Sequence, residues 1–164
     1  MKKTILALIC ISLMILDNTL VPFFSINTYY PSLLLVFILC YSMVSDKWDA
    51  LGIGVFAGLL QDIYFFQGFG VNAFVNMILC LLAYSVGESI FKERKFIPVV
   101  ATFFLASLKY LIIFIILYIL GIYVNIRGIL YVGVTSMIVA FFFYKPIYKL
   151  SNKDYMKRDW KFNE

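Results

Sequence analysis

The chain has 164 residues, 63% of them hydrophobic and 14% charged, with a mean hydropathy of +0.95 and a formal charge of +5. A soluble domain is about 45–50% apolar and about 25% charged and has no interior large enough for the excess found here, so lipid must solvate part of the surface. The chain contains no histidine, which removes His-based acid–base catalysis, Ser-His and Cys-His nucleophile pairs and His-ligated metal sites.

Apolar runs separated by short polar breaks read as membrane spans, about 20 residues being needed to cross a hydrocarbon layer about 30 Å thick. Six are expected. The first, Thr4 to Phe24, follows Lys2 and Lys3 as a secretory leader would. No small-x-small cleavage site follows it, so it is read as a retained helix, and Ile9 is too bulky to precede a lipidated Cys10. The second, Ser32 to Val44, is short and is stopped by "SDKWD". The third is Ala50 to Phe66, and the fourth, Val71 to Phe91, ends at "KERK". The fifth is Ile97 to Ile122 and the sixth Gly128 to Tyr148. The second and third are each short enough to be re-entrant. The expected fold is an all-α integral membrane protein, with a six-helix transmembrane domain over residues 1–150 and a basic cytoplasmic tail over residues 151–164. No soluble domain, linker or repeat is evident.

Lys and Arg in the flanks set the orientation. With the N-terminus in the cytoplasm, the inner flanks hold Lys2, Lys3, Lys47, Lys92, Arg94, Lys95, Lys145, Lys149, Lys153, Lys157, Arg158 and Lys161, and the outer flanks hold Arg127 alone. That asymmetry predicts six crossings with both ends cytoplasmic. Tyr29, Tyr30, Tyr64 and Tyr123 then fall at the outer interface, and Trp48, Tyr144 and Tyr148 at the inner one. The tail's basic residues favour anionic lipid headgroups, and no nucleic-acid partner is expected.

The third span raises a question, because it buries Asp62 among Leu59, Leu60, Ile63 and Tyr64. A charge at the bilayer centre costs about 2.5–3.5 kcal/mol or more, so such residues face the bundle interior. Ala50, Gly54, Gly58 and Asp62 recur every four residues and share one helix face. Small residues there allow another backbone to come close, either within the chain or from a partner. At about 1.5 Å per residue, Asp62 and Lys109 each lie about 18 Å above the start of their spans, and Asp17 about 20 Å. Asn72 and Asn76 fall near the same height. A buried polar cluster is expected, in which Lys109 offsets Asp62, Asp17 or both. Such a cluster fixes helix packing, holds a ligand or ion, or moves protons, and the residues alone leave these open. Gly68 and Gly70 mark the following turn.

Enzymatic readings lack their residues. Intramembrane serine proteases need a histidine, and the Gly-x-Gly-Asp signature of intramembrane aspartyl proteases fails because Val55 follows Gly52-Ile53-Gly54. Cys10, Cys40 and Cys80 lie singly in apolar runs and read as inert buried thiols. No catalytic residue, cofactor or metal is expected.

The stretch "GVFAGLLQDIYFFQGFGVNAF", Gly54 to Phe74, resembles the Gly-Leu-(Leu)-x-Asp segment and glycine-containing outer turn of the rod shape-determining protein MreD family. Gly58, Leu59, Asp62 and Gly70 match that pattern. "YYPSLLLV", where a proline precedes a short second span, resembles the same family. The resemblance implies a non-enzymatic scaffold of the bacterial elongation machinery, in the cytoplasmic membrane, supporting rod shape and lateral peptidoglycan synthesis. Its implied partner is an MreC-like bitopic protein, and through it MreB-like filaments, a SEDS glycan polymerase and a class B penicillin-binding protein. The family is also similar in architecture to the vitamin-binding S-components of ECF-type importers, so a small-molecule-binding importer subunit is the rival reading. The first span shows no Ala-x-x-x-Ala surface for docking to a coupling subunit, which leans against it.

Overall fold

The computed structural model describes residues 2–24, 31–65, 70–89, 96–119, 121 and 128–152. All regular structure among them is helical: α1 (Lys2–Thr19) with a 3-10 turn (Val21–Phe24), α2 (Leu33–Val44), α3 (Lys47–Phe65), α4 (Val71–Ser89), α5 (Phe96–Ile119) and α6 (Gly128–Ser151). Each coincides with one expected span, its ends shifted by a few residues. Lys2–Phe23, α4, α5 and α6 are long and apolar enough to cross a membrane. With 12 residues α2 is too short to do so alone, and the 19 residues of α3 include Lys47, Asp49 and Asp62.

The short helix is the centre of the bundle. Its sequence, "LLLVFILCYSMV", is apolar all round, and a helix without a polar face belongs inside. No residue from Leu34 to Met43 is more than 3% exposed. All five other helices pack against α2, with α3 and α4 forming one close pair and α5 and α6 another. Successive helices alternate in direction. Lys2 Nζ lies 2.5 Å from Asp49 Oδ2, tying the starts of α1 and α3 at one end. At the other, distal end, the last turn of α1 meets the start of α2. Gly133 opposes Phe103 and Ser107 across the α5–α6 pair, so α6 returns toward the Lys2 end.

The stripe Ala50, Gly54 and Gly58 is buried under α4 of the same chain. A β-carbon on Gly58 would stand 2.3 Å from Ala73 Cα, and one on Gly54 would stand 3.0 Å from the carbonyl oxygen of Asn76. Outward-facing residues are apolar at helical spacing, as in Phe104, Leu108, Leu111 and Ile115 of α5 and Leu130, Val134, Ile138 and Phe141 of α6. Such a surface suits lipid, with backbone polar groups satisfied inside each helix.

The aromatic residues divide. Trp48 is 72% exposed at the Lys2 end and Tyr64 is 58% exposed at the distal end. Tyr144, expected at the inner interface, is instead 3% exposed. It follows Gly133, Ser136 and Ala140 on the buried face of α6, and that packing face fixes its direction. Tyr29, Tyr30, Tyr123, Gly68, Arg127, the Lys92–Lys95 segment and the tail beyond Asn152 lie outside the described residues.

Candidate functional site

The distal end gathers the buried polar side chains. Asp17 is 6% exposed, Gln61 5%, Asp62 4%, Lys109 7% and Asn76 0%. What each does follows from a demand of the backbone. The first N–H groups of a helix have no partner within it, and in an apolar interior each unpaired group costs about 1–3 kcal/mol. A helix that begins inside the bundle needs acceptors brought to it.

Asp17 serves α2. Its Oδ1 accepts from the backbone N–H of Leu33 at 2.7 Å, and its Oδ2 accepts from that of Leu34 at 3.1 Å and from Ser32 Oγ at 2.7 Å. Ser32 is itself the N-cap: its extended backbone (φ −90°, ψ 114°) aims Oγ to accept from Leu35 N–H at 3.1 Å. Val36 N–H then bonds to the Ser32 carbonyl at 3.1 Å, the first bond of the helix proper.

Asp62 does the same for α4. Its Oδ2 accepts from the N–H groups of Gly70 and Ala73, each at 3.0 Å, and its Oδ1 accepts from that of Asn72 at 2.9 Å. Gly70 adopts φ +96°, a conformation other residues rarely take, and this turns its N–H back toward the carboxylate. Each aspartate thus meets three donors at the start of a helix. This is why carboxylates sit in an apolar chain at these two places.

Lys109 pairs with neither. It donates to Gln61 Oε1 at 2.7 Å, and the same oxygen accepts from Asn76 Nδ2 at 2.9 Å. Gln61 Nε2 lies 3.5 Å from Ser32 Oγ. Among the described residues the only ion pair within 4.0 Å is Lys2–Asp49. The expected offset of Asp62, Asp17 or both by Lys109 is not a contact ion pair among the described residues; the carboxylates act on the ammonium through space. The carboxylates' oxygens are taken up by helix N-termini, and a neutral amide meets the ammonium.

The expected levels do coincide. Asp17, Ser32, Gln61, Asn76 and Lys109 form a chain of contacts that touches α1, α2, α3, α4 and α5. Asn72 contributes its backbone N–H, and its side chain is half-buried. Gln61 and Ser32 are the members that sequence reasoning missed. Gln61 neighbours Asp62 and lies three residues past Gly58, a signal that one polar face was being built there. Ser32, directly after Pro31 and before an apolar run, carried an N-cap signature.

Five helices around a buried sixth, with the interior polar groups turned onto helix ends, define a helical integral membrane protein. A family model described as rod shape-determining protein MreD matches residues 1–154 of the chain. The chain belongs to the MreD family. No curated protein and no solved structure matches it.

Proposed function

We propose that the chain is a non-enzymatic scaffold of the cell-elongation machinery in the bacterial cytoplasmic membrane, with both ends on the cytoplasmic side. It supports rod shape and lateral peptidoglycan synthesis by holding an MreC-like bitopic protein. Through that partner it is linked to MreB-like filaments, a SEDS glycan polymerase and a class B penicillin-binding protein. The family match over residues 1–154 carries this reading. The geometry agrees with it, because the buried carboxylates complete the backbone of α2 and α4 and stiffen a bundle whose broad apolar exterior is free to contact lipid and other helices.

Depletion tests it. Loss of the chain from the bacterium that encodes it should turn rods into spheres, and a tagged chain should co-purify with a bitopic partner. Unchanged shape with a new vitamin requirement would replace this reading with the importer one.

A further inference from the structure

We propose that Lys109, Gln61 and Asn76 form a binding site, near the distal end of the bundle, for an oxyanion that carries a neighbouring hydroxyl or amine: a carboxylate, a phosphate or a phosphate-bearing lipid headgroup. The inference is independent of the shape-determining role.

Its first support is a count of hydrogen-bonding capacity. An ammonium has three donors, and among the described residues Lys109, 7% exposed, uses one, toward Gln61 Oε1. The Gln61 amide nitrogen has two donors and among the described residues makes one long contact, at 3.5 Å. Asn76 is 0% exposed, and its Oδ1 has no partner even though its Nδ2 is bonded. Spare donors on Lys109 and Gln61 thus stand beside a spare acceptor on Asn76, all joined through one oxygen. A ligand with an anionic oxygen for the first two and an O–H or N–H for the third satisfies the set.

The second support is charge. A buried cation is ordinarily matched by an anion in contact. The two nearby candidates, Asp17 and Asp62, each accept three hydrogen bonds from elsewhere, and neither lies within 4.0 Å of Lys109. An anion in direct contact has to come from outside the described residues. Position is a third support. Among the described residues of α5 none after Lys109 is buried, whereas five of those from Pro98 to Ala106 are, so the ammonium lies at the distal limit of the buried face of α5.

The test uses the full chain in neutral detergent and in nanodiscs. In detergent, thermal stability is followed in phosphate or acetate against chloride at equal ionic strength. In nanodiscs, phosphatidylglycerol is compared with phosphatidylcholine, and retained lipid is counted by native mass spectrometry. A phosphate- or acetate-dependent rise in melting temperature identifies a free oxyanion, and selective retention of phosphatidylglycerol identifies a headgroup. Lys109→Met should weaken either response about tenfold or more, the scale of a lost charge-assisted hydrogen bond. Gln61→Glu places a carboxylate within reach of Lys109, should fold, and should abolish the response by supplying an internal counter-ion. A wild-type chain indifferent to all these probes, or a response undiminished in Gln61→Glu, overturns the proposal.

Discussion

At the scale of single residues, the two intramembrane aspartates are acceptors for backbone, and this fixes what their replacement does. Asp62→Leu leaves the N–H groups of Gly70, Asn72 and Ala73 without acceptors. At about 1–3 kcal/mol per unpaired buried group, the loss is about 3 kcal/mol or more. With about 2–4 °C per kcal/mol for a chain of this size, detergent melting should drop by about 6 °C or more. Asp62→Asn retains one oxygen and should lose less than half as much. Asp17→Leu and Asp17→Asn should repeat the pattern at α2. Charge exchange gives a sharper contrast. Asp62→Lys combined with Lys109→Asp should be no more stable than Asp62→Lys alone, because the α4 N–H groups still lack an acceptor. Recovery of the wild-type melting temperature in the double variant would mean that the pair interacts directly. The presence of these carboxylates was legible in the sequence as charges stranded in apolar runs, and their common level followed from counting residues. Their role was not legible. Asp17 caps a helix that starts 16 residues later, and the groups it serves are backbone N–H, which every non-proline residue has. No residue type announces such a partner. Gln61 escaped for the reverse reason, since a glutamine beside an aspartate has no distinct signature until the fold brings Lys109 and Asn76 to its oxygen.

At the scale of helices, the contact between α3 and α4 depends on one face of α3. The four-residue spacing of Ala50, Gly54, Gly58 and Asp62 was visible in the sequence, and so was the close approach it allows. Whether that face met this chain or another was not, because spacing says nothing about which helix comes near. The structure places α4 there, with Ala73 Cα 2.3 Å from a modest β-carbon at position 58. Gly58→Ala should push the helices apart and cost about 1–3 kcal/mol, as overpacking does. It should also lengthen the Asp62 bonds to the start of α4, one turn further on. Gly52 is the control on the same helix: it is exposed and a β-carbon there meets nothing within 4 Å. Gly52→Ala should be neutral or stabilise by up to about 1 kcal/mol, the helix-propensity difference. Equal melting temperatures for the two variants would show that the α3–α4 approach is looser than described. The central place of α2 was half legible. Its all-round apolar sequence fits burial on every side, yet its length suggested a re-entrant piece. Burial and the caps from Ser32 and Asp17 reconcile the two, since a 12-residue helix, about 18 Å long, need not reach both interfaces when other helices enclose it.

At the scale of the whole molecule, alternation of six helices carries Lys2 and Ser151 to one end and places the polar chain near the other. Lys2 and Asp49 meet at the first end, and exposed Lys3, Lys47, Lys145 and Lys149 belong to helix ends that alternation brings there too. In the orientation proposed above, the positive-inside bias puts that end in the cytoplasm. Cysteine labelling checks the assignment without removing the native thiols, because Cys10, Cys40 and Cys80 are each 0% exposed and should stay silent in the folded protein. New cysteines at Lys3 and Asn152, both exposed, should resist an impermeant maleimide in intact cells and react once the membrane is permeabilised. One at Arg127, in the connection between α5 and α6, should react from outside in intact cells. Reaction of positions 3 and 152 from opposite faces would mean an odd number of crossings, with α2 or α3 failing to traverse. The same experiment bears on the proposed oxyanion site, because six crossings with both ends cytoplasmic would put the end of α5 beyond Lys109 at the outer leaflet, the side from which an oxyanion or headgroup would have to arrive.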